Sequence, residues 1–205
     1  MPSRNSQKEF GADCYYHLYN RGNNKVDIFH DDQDYAVFLS LLKRHLDKVP
    51  HFDKQQREYP HLIKQVSLLS YCLMPNHFHL LIHNKESHGI ELLMRSVGTS
   101  YVAYYNRKYE RIGPLFQGRY KASLIDSDTY LQHISRYIHL NPKDYTTYNY
   151  SSYQAIVKNW NVEWLDSDEL LSTFEGTRSD YAAFVADYED YKEMLDEIKH
   201  DLADS

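Results

Sequence analysis

Hydrophobic and polar positions along the 205-residue chain fall into blocks of two different periods. From Cys14 to Asn20, Tyr15, His17 and Tyr19 alternate with Tyr16 and Leu18, the period-two pattern of a strand. A turn-rich segment, Arg21-Gly-Asn-Asn-Lys25, follows. Asp31-Asp32 then offers a helix N-cap, and Tyr35, Phe38, Leu39, Leu42 and Leu46 recur at helical spacing, with a stop expected before Pro50. Beyond a polar connector (51–61), two apolar runs, Ile63–Leu73 and His77–His83, flank Met74-Pro75-Asn76. Pro and Asn favour a tight turn, so the pair is expected to form a hairpin. Gly89 opens a second helix, whose stripe of Leu92, Leu93, Val97, Tyr101, Val102, Tyr104 and Tyr105 runs to Tyr109. Residues 113–118 read as a loop and Arg119–Ile125 as a fourth strand. Thr129–Leu140 reads as a helix signalled by Asp126-Ser-Asp and stopped by Asn141-Pro142. A Tyr/Thr/Ser/Asn loop near 145–153 precedes shorter helices expected at Ser152–Asn159, Asp166–Phe174 and Ser179–Leu202.

The order strand, helix, hairpin, helix, strand, helix predicts an α+β fold: a ferredoxin-like antiparallel sheet with helices packed on it. Charge adds a division. Residues 160–205 carry 14 acidic and 3 basic side chains, against 15 acidic and 20 basic before them. A mildly basic body (1–150) is thus expected to carry an acidic, helical C-terminal extension (151–205), which caps the cleft or mediates association. The net charge of −6 argues against a generic nucleic-acid binder. Locally, however, Arg95, Arg107, Lys108, Arg111, Arg119 and Lys121 are relieved by Glu110 alone, which suits either a phosphate-binding surface or a solvated helix face. Twenty Tyr favour amphipathic packing or base stacking. Two Cys with no metal-ligand spacing, no apolar leader and no membrane-length apolar run point to a cytoplasmic protein with no membrane partner.

Candidate chemistry begins on the hairpin. Phe78, Leu80 and Ile82 alternate toward a core, which leaves His77, His79, Leu81 and His83 on the other face. Two imidazoles on one strand face supply two ligands for a divalent cation, although a His-x-His alone is more often a half-buried hydrogen-bonding pair. The later helix offers further groups. Tyr137 and Asn141 are one turn apart on one face, with Tyr130 about two turns earlier. An activated Tyr is a competent nucleophile, and an Asn oxygen can complete a site begun by two His. On the helix alone, packing for Tyr137 and helix termination for Asn141 are equally good readings.

In combination these motifs resemble the single-tyrosine HUH transposases, of the insertion-sequence 200 type and its REP-associated tyrosine transposase branch. Met-Pro-Asn-His77-Phe-His79-Leu-Leu-Ile and Arg136-Tyr137-Ile-His-Leu-Asn141-Pro142 carry the likeness. Tyr19-Asn-Arg21-Gly22, Gly113-Pro-Leu-Phe-Gln-Gly-Arg119-Tyr-Lys121, Tyr150-Ser-Ser-Tyr153 and Trp164-Leu-Asp extend it over roughly residues 13–190. The resemblance implies that residues 1–150 are the catalytic domain. His77, His79 and Asn141 would bind one Mg²⁺ or Mn²⁺, and Tyr137 would cleave and rejoin single-stranded DNA beside a hairpin or repeat through a 5′-phosphotyrosine. A single nucleophile implies a homodimer or sequential cycles for two-ended events. Arg21, Arg107, Lys108, Arg119, Lys121 and Arg136 are the candidates for DNA contacts, although Arg136 is turned roughly 100° from Tyr137 on a helix. Two alternatives remain: a non-catalytic single-stranded nucleic-acid binding protein of the same fold, and a hydrolytic metalloenzyme using the two His without a covalent step.

Overall fold

The computed structural model describes residues 10–174 and 176–187. Four strands form one antiparallel sheet: β1 (Cys14–Arg21), β2 (Val66–Met74), β3 (His77–Asn84) and β4 (Lys121–Ile125). Their spatial order is β2-β3-β1-β4. With α1 (Asp32–Leu46) between β1 and β2, and α2 (Gly89–Lys108) between β3 and β4, this is the ferredoxin-like connectivity the element order predicted. α3 (Asp128–His139), α4 (Tyr153–Val157), α5 (Ser167–Leu171) and α6 (Arg178–Ala186) follow. The helix expected over Ser179–Leu202 is observed to Ala186, and its continuation beyond Asp187 lies outside the described residues.

Local signals set the elements. Asp31 caps α1 by accepting from the Asp34 amide, and Ser127 caps α3 by accepting from the Tyr130 amide. β2 starts at Val66 rather than Ile63, because the Gln65 and Val66 amides turn back onto the Leu62 carbonyl. β4 starts at Lys121 rather than Arg119, since ladder pairing with β1 begins at Tyr19–Lys121.

The sheet is covered on both faces. Phe78 and Leu80 share one face with Leu18 and Tyr16, and α1 packs there through Phe38, whose ring meets Phe78 at 5.1 Å. On the opposite face, β1 residues His17, Tyr19 and Arg21 stand in register with Leu81, His79 and His77. α3 lies over that face. This double cover is why β2 is buried without alternation from Val66 to Leu73, Ser67 and Ser70 included. The segment after 150 locks onto the same layers: the Asp166 amide bonds the Leu68 carbonyl, and the Ser152 hydroxyl accepts from the Tyr71 amide.

One contact positions the future site directly. The loop after β1 clasps the β2–β3 turn: Gly22 donates to the Asn76 carbonyl, while Ile28 and Phe29 both donate to that of Pro75. A Cβ on Gly22 would lie 2.1 Å from the Val26 carbonyl oxygen, so glycine is required for so close an approach. No helix among the described residues is long and apolar enough to cross a membrane.

Candidate active site

The structure brings His77, His79, Tyr137 and Asn141 together, although they come from β3 and from the end of α3. The His77 Nε2 atom is 3.0 Å from the Asn141 Oδ1 atom. The His77 and His79 rings are 5.0 Å apart, and the Tyr137 ring meets His79 edge-on at 5.4 Å.

Protons are accountable here. The Asn141 amide nitrogen donates to the Tyr137 carbonyl (3.3 Å), which turns its oxygen toward His77. The Asn76 amide nitrogen donates to the Lys25 carbonyl (3.3 Å), which turns its oxygen toward His77 Nδ1 at 2.6 Å. A proton on His77 Nδ1 is donated to Asn76 and leaves Nε2 as an acceptor; a proton on Nε2 is donated to Asn141 instead. Burial holds His77 below the usual histidine range; the Asn141 oxygen opposes this and Arg21 adds to it. The imidazole is neutral at pH 7, and in its Nδ1–H tautomer Nε2 presents a lone pair next to Asn141 Oδ1. In that tautomer the two acceptors at 3.0 Å could share a cation.

His79 is oriented from behind. Its Nδ1 lies 2.9 Å from His17 Nε2, in the buried layer between sheet and α3. Burial lowers His79 well below its ordinary pKa and takes His17 to about 3, so both are neutral. If His79 Nδ1 donates to His17, the His79 Nε2 lone pair is left for a ligand, as is usual for metal-bound imidazoles. His17 was not singled out by sequence. Its alternation with Tyr15 and Tyr19 marked a strand face, but its partner lies 62 residues away. Among the described residues no group of three His, Cys, Asp or Glu is arranged to hold an ion, so a metal here depends on the Asn141 amide. His77, His79 and Asn141 provide two imidazole nitrogens and an oxygen, which suits Mn²⁺ and, less readily, Mg²⁺.

Tyr137 is 9% exposed, and burial raises its hydroxyl to about 12 against an opposing effect of Asn141. It is a neutral phenol that needs activation to act as a nucleophile.

The basic candidates divide. Arg21 flanks His77 in register and hydrogen bonds Gln117 through two nitrogens (3.3 and 3.1 Å). Lys121 is opposite Tyr19, and burial followed by Arg21 holds it below the usual lysine range. Arg107 is exposed, and Arg119 pairs with Glu91 at 3.2 Å. Two expectations need correction. Arg136 is 1% exposed and stacks on Phe184 of α6 at 3.6 Å, which removes it from any surface a strand could reach. Lys108 is engaged by Asp31 (2.7 Å) and Asp34 (2.8 Å), so its charge is balanced internally.

A family-wide profile described as "Transposase IS200 like" matches residues 11–141, more than half the chain and every side chain of this site. The chain is thus a transposase, a DNA-processing enzyme. It belongs to the IS200-like transposase family. Among solved structures it is similar to "Structure of the REP associates tyrosine transposase bound to a REP hairpin", with a TM-score of 0.52 and 11% identity, covering 78% of this chain and 91% of that one. At that identity the likeness is one of fold. A search of curated proteins returns no match.

Proposed function

We propose that this transposase cleaves and rejoins single-stranded DNA through a covalent tyrosine intermediate, with Tyr137 as nucleophile. His77, His79 and Asn141 would hold one Mg²⁺ or Mn²⁺, which supplies Lewis-acid polarisation of the scissile phosphate when bound. The Tyr137 oxygen attacks phosphorus, the P–O3′ bond breaks, and the phenolic proton is passed by way of solvent to the departing O3′. A 5′-phosphotyrosine and a 3′-hydroxyl result. The reverse attack by another 3′-hydroxyl rejoins strands without an external energy source. Arg21 and Lys121, on the same sheet face as the His pair, are placed to meet backbone phosphates. The solved relative's hairpin suggests hairpin-bearing single strands as substrates. Association as a homodimer for two-ended events, and the division into a catalytic body (1–150) and an extension (151–205), belong to the same proposal.

The observation that carries it is the convergence of His77, His79 and Asn141 next to the Tyr137 ring. A protein that only bound nucleic acid would have no use for side chains so arranged. The test is incubation with a labelled hairpin-bearing single strand and Mn²⁺, followed by denaturing electrophoresis. A protein–DNA adduct is expected for the wild type and none for Tyr137→Phe. An adduct with Tyr137→Phe would show that another group attacks.

A further inference from the structure

Two cross-strand rows of the sheet beneath α3 border the candidate site. One row runs Met74–His77–Arg21 across β2, β3 and β1, and the next runs Cys72–His79–Tyr19–Lys121 across all four strands. Residues paired in register project from the same face of a sheet. On the β2 side the two histidines are therefore bordered by a thioether and by a fully buried thiol, both weak hydrogen-bonding groups. Stronger donors stand on the β1 side. Arg21 is next to His77 and bonds Gln117 through two nitrogens. Tyr19 is next to His79, with Lys121 one strand farther out. The Tyr19 side chain is held within the layer, 7% exposed, with its ring 6.1 Å from that of His79 and 5.1 Å from that of His17. From α3, the Tyr137 ring meets the same two imidazoles at 5.4 and 5.9 Å. Two phenols thus flank one pair of neutral histidines. Their hydroxyls are close enough to interact: that of Tyr137 is raised by burial, lowered by Asn141 and raised again by Tyr19.

We infer that Tyr19 is a further catalytic residue, whose hydroxyl donates a hydrogen bond to one non-bridging oxygen of the scissile phosphate; the inference rests on the phosphotyrosine reading above. A phosphate attacked by Tyr137 has two non-bridging oxygens, and negative charge shifts onto both as the attack proceeds. One faces His77, His79 and Asn141. The other needs a donor from the rest of the face. The sulfur groups of β2 are poor candidates, and on β1 the residue beside His79 is Tyr19. A phenol suits this layer. It donates while uncharged, so the layer holds no desolvated cation when DNA is absent. Tyr19 makes and breaks no covalent bond in this role, and its proton stays on its oxygen. Arg21 and Lys121, to either side, are left to the neighbouring backbone phosphates.

The test uses the full-length protein, Mn²⁺ and a hairpin-bearing single strand whose cleaved phosphate, once mapped, is all-oxygen or an Rp or Sp phosphorothioate. Single-turnover cleavage at saturating DNA is measured beside DNA affinity without metal. Tyr19→Phe should cleave the all-oxygen strand about 100-fold more slowly than the wild type, the scale of losing one preorganised donor, with unchanged affinity and melting temperature. For the wild type, one diastereomer should be cleaved slowly even in thiophilic Mn²⁺, because sulfur accepts poorly from a hydroxyl. Tyr19→Phe should cleave that diastereomer as fast as its all-oxygen counterpart. Wild-type cleavage rates for Tyr19→Phe, or an equal loss on all three strands, overturn the inference. Should Tyr19→Phe melt early, the wild type decides alone, and equal rates for the two diastereomers overturn it. Adduct formation on the same samples separates the two ideas. Wild-type adducts with no defect in Tyr19→Phe leave the phosphotyrosine reading standing and Tyr19 without a role. No wild-type adduct on any strand refutes that reading and this inference with it.

Discussion

β3 carries two histidine neighbourhoods on one face, and they differ in what surrounds them. At its start, His77 and His79 are contacted by amides and another imidazole, none of them an anion. Near its end, His83 is within ion-pair distance of two carboxylates, Asp13 at 2.9 Å and Glu169 at 2.5 Å, and stacks on Tyr15 at 4.5 Å. An imidazole whose Nε2 hydrogen bonds one carboxylate and whose Nδ1 lies beside another is engaged without a cation. An imidazole whose Nε2 faces an amide oxygen could share a cation with it. Residue type and strand position are the same; the partner of each nitrogen separates structural from chemical histidines.

The largest expected effect breaks this contrast at its centre. His79→Ala should lower Mn²⁺-dependent adduct formation by more than about 100-fold, since outer partners of metal ligands alone are worth about 10–100-fold. His83→Ala should leave the rate within a few-fold and instead cost about 1–3 kcal/mol of stability through the lost pairing. Single-turnover cleavage and urea unfolding of both variants check this. Equal loss of cleavage in the two would erase the distinction.

Acidification probes the neutral histidines next. His17 and His139 are fully buried, and burial takes both to about 3. His139 is further enclosed by Ser152 at 2.9 Å and Tyr181 at 2.7 Å. Their folded pKa values lie below the unfolded value, so the unfolded chain binds more protons between about pH 6.5 and 3. Stability is therefore complete above pH 6.5 and falls as pH drops, by about 1.4 kcal/mol per pH unit for each of the two. Unfolding free energies at pH 7, 6 and 5 should show the decline; a flat profile would mean that these imidazoles are charged in the folded protein.

A third variant sharpens the role of the imidazole behind the site. His17→Leu should weaken Mn²⁺ binding by about 10–100-fold, read by calorimetry without DNA. His17→Gln, which keeps an acceptor for His79, should recover most of it. Equal affinity for all three proteins would make His17 a packing residue.

How much of this was legible in the sequence follows from distance along the chain. The His77/His79 pair, the turn before it and the Tyr137/Asn141 spacing are each set within a few residues, and periodicity exposed them. His17 was placed on the correct strand, but its role depends on β1 pairing with a strand 62 residues away. The helical angle turned Arg136 away from Tyr137, yet did not disclose that Phe184 of a later helix would bury it. Charge clustering suggested Lys108 as a DNA contact because Asp31 and Asp34, more than 70 residues earlier, were not visible as its partners. The orientation of the Asn76 and Asn141 amides around His77 needed two carbonyls, of Lys25 and Tyr137, that no motif encodes.

The smallest effect tests the far end of the strand alone. Glu169 lies in the first turn of the short α5 and reaches across to Tyr15, from whose hydroxyl it accepts at 2.9 Å, and to His83. Its side chain is one-fifth exposed, so solvent screening discounts the ion pair. Glu169→Gln retains an acceptor for Tyr15 and removes the charge facing His83. It should cost about 1 kcal/mol, seen as a lower denaturation midpoint with an unchanged slope. Cleavage should stay within twofold, because no group around His77 or Asn141 contacts this residue. A tenfold loss of cleavage at unchanged stability would mean that the C-terminal segment tunes the site through β3, and the two histidine neighbourhoods would then have to be treated as one.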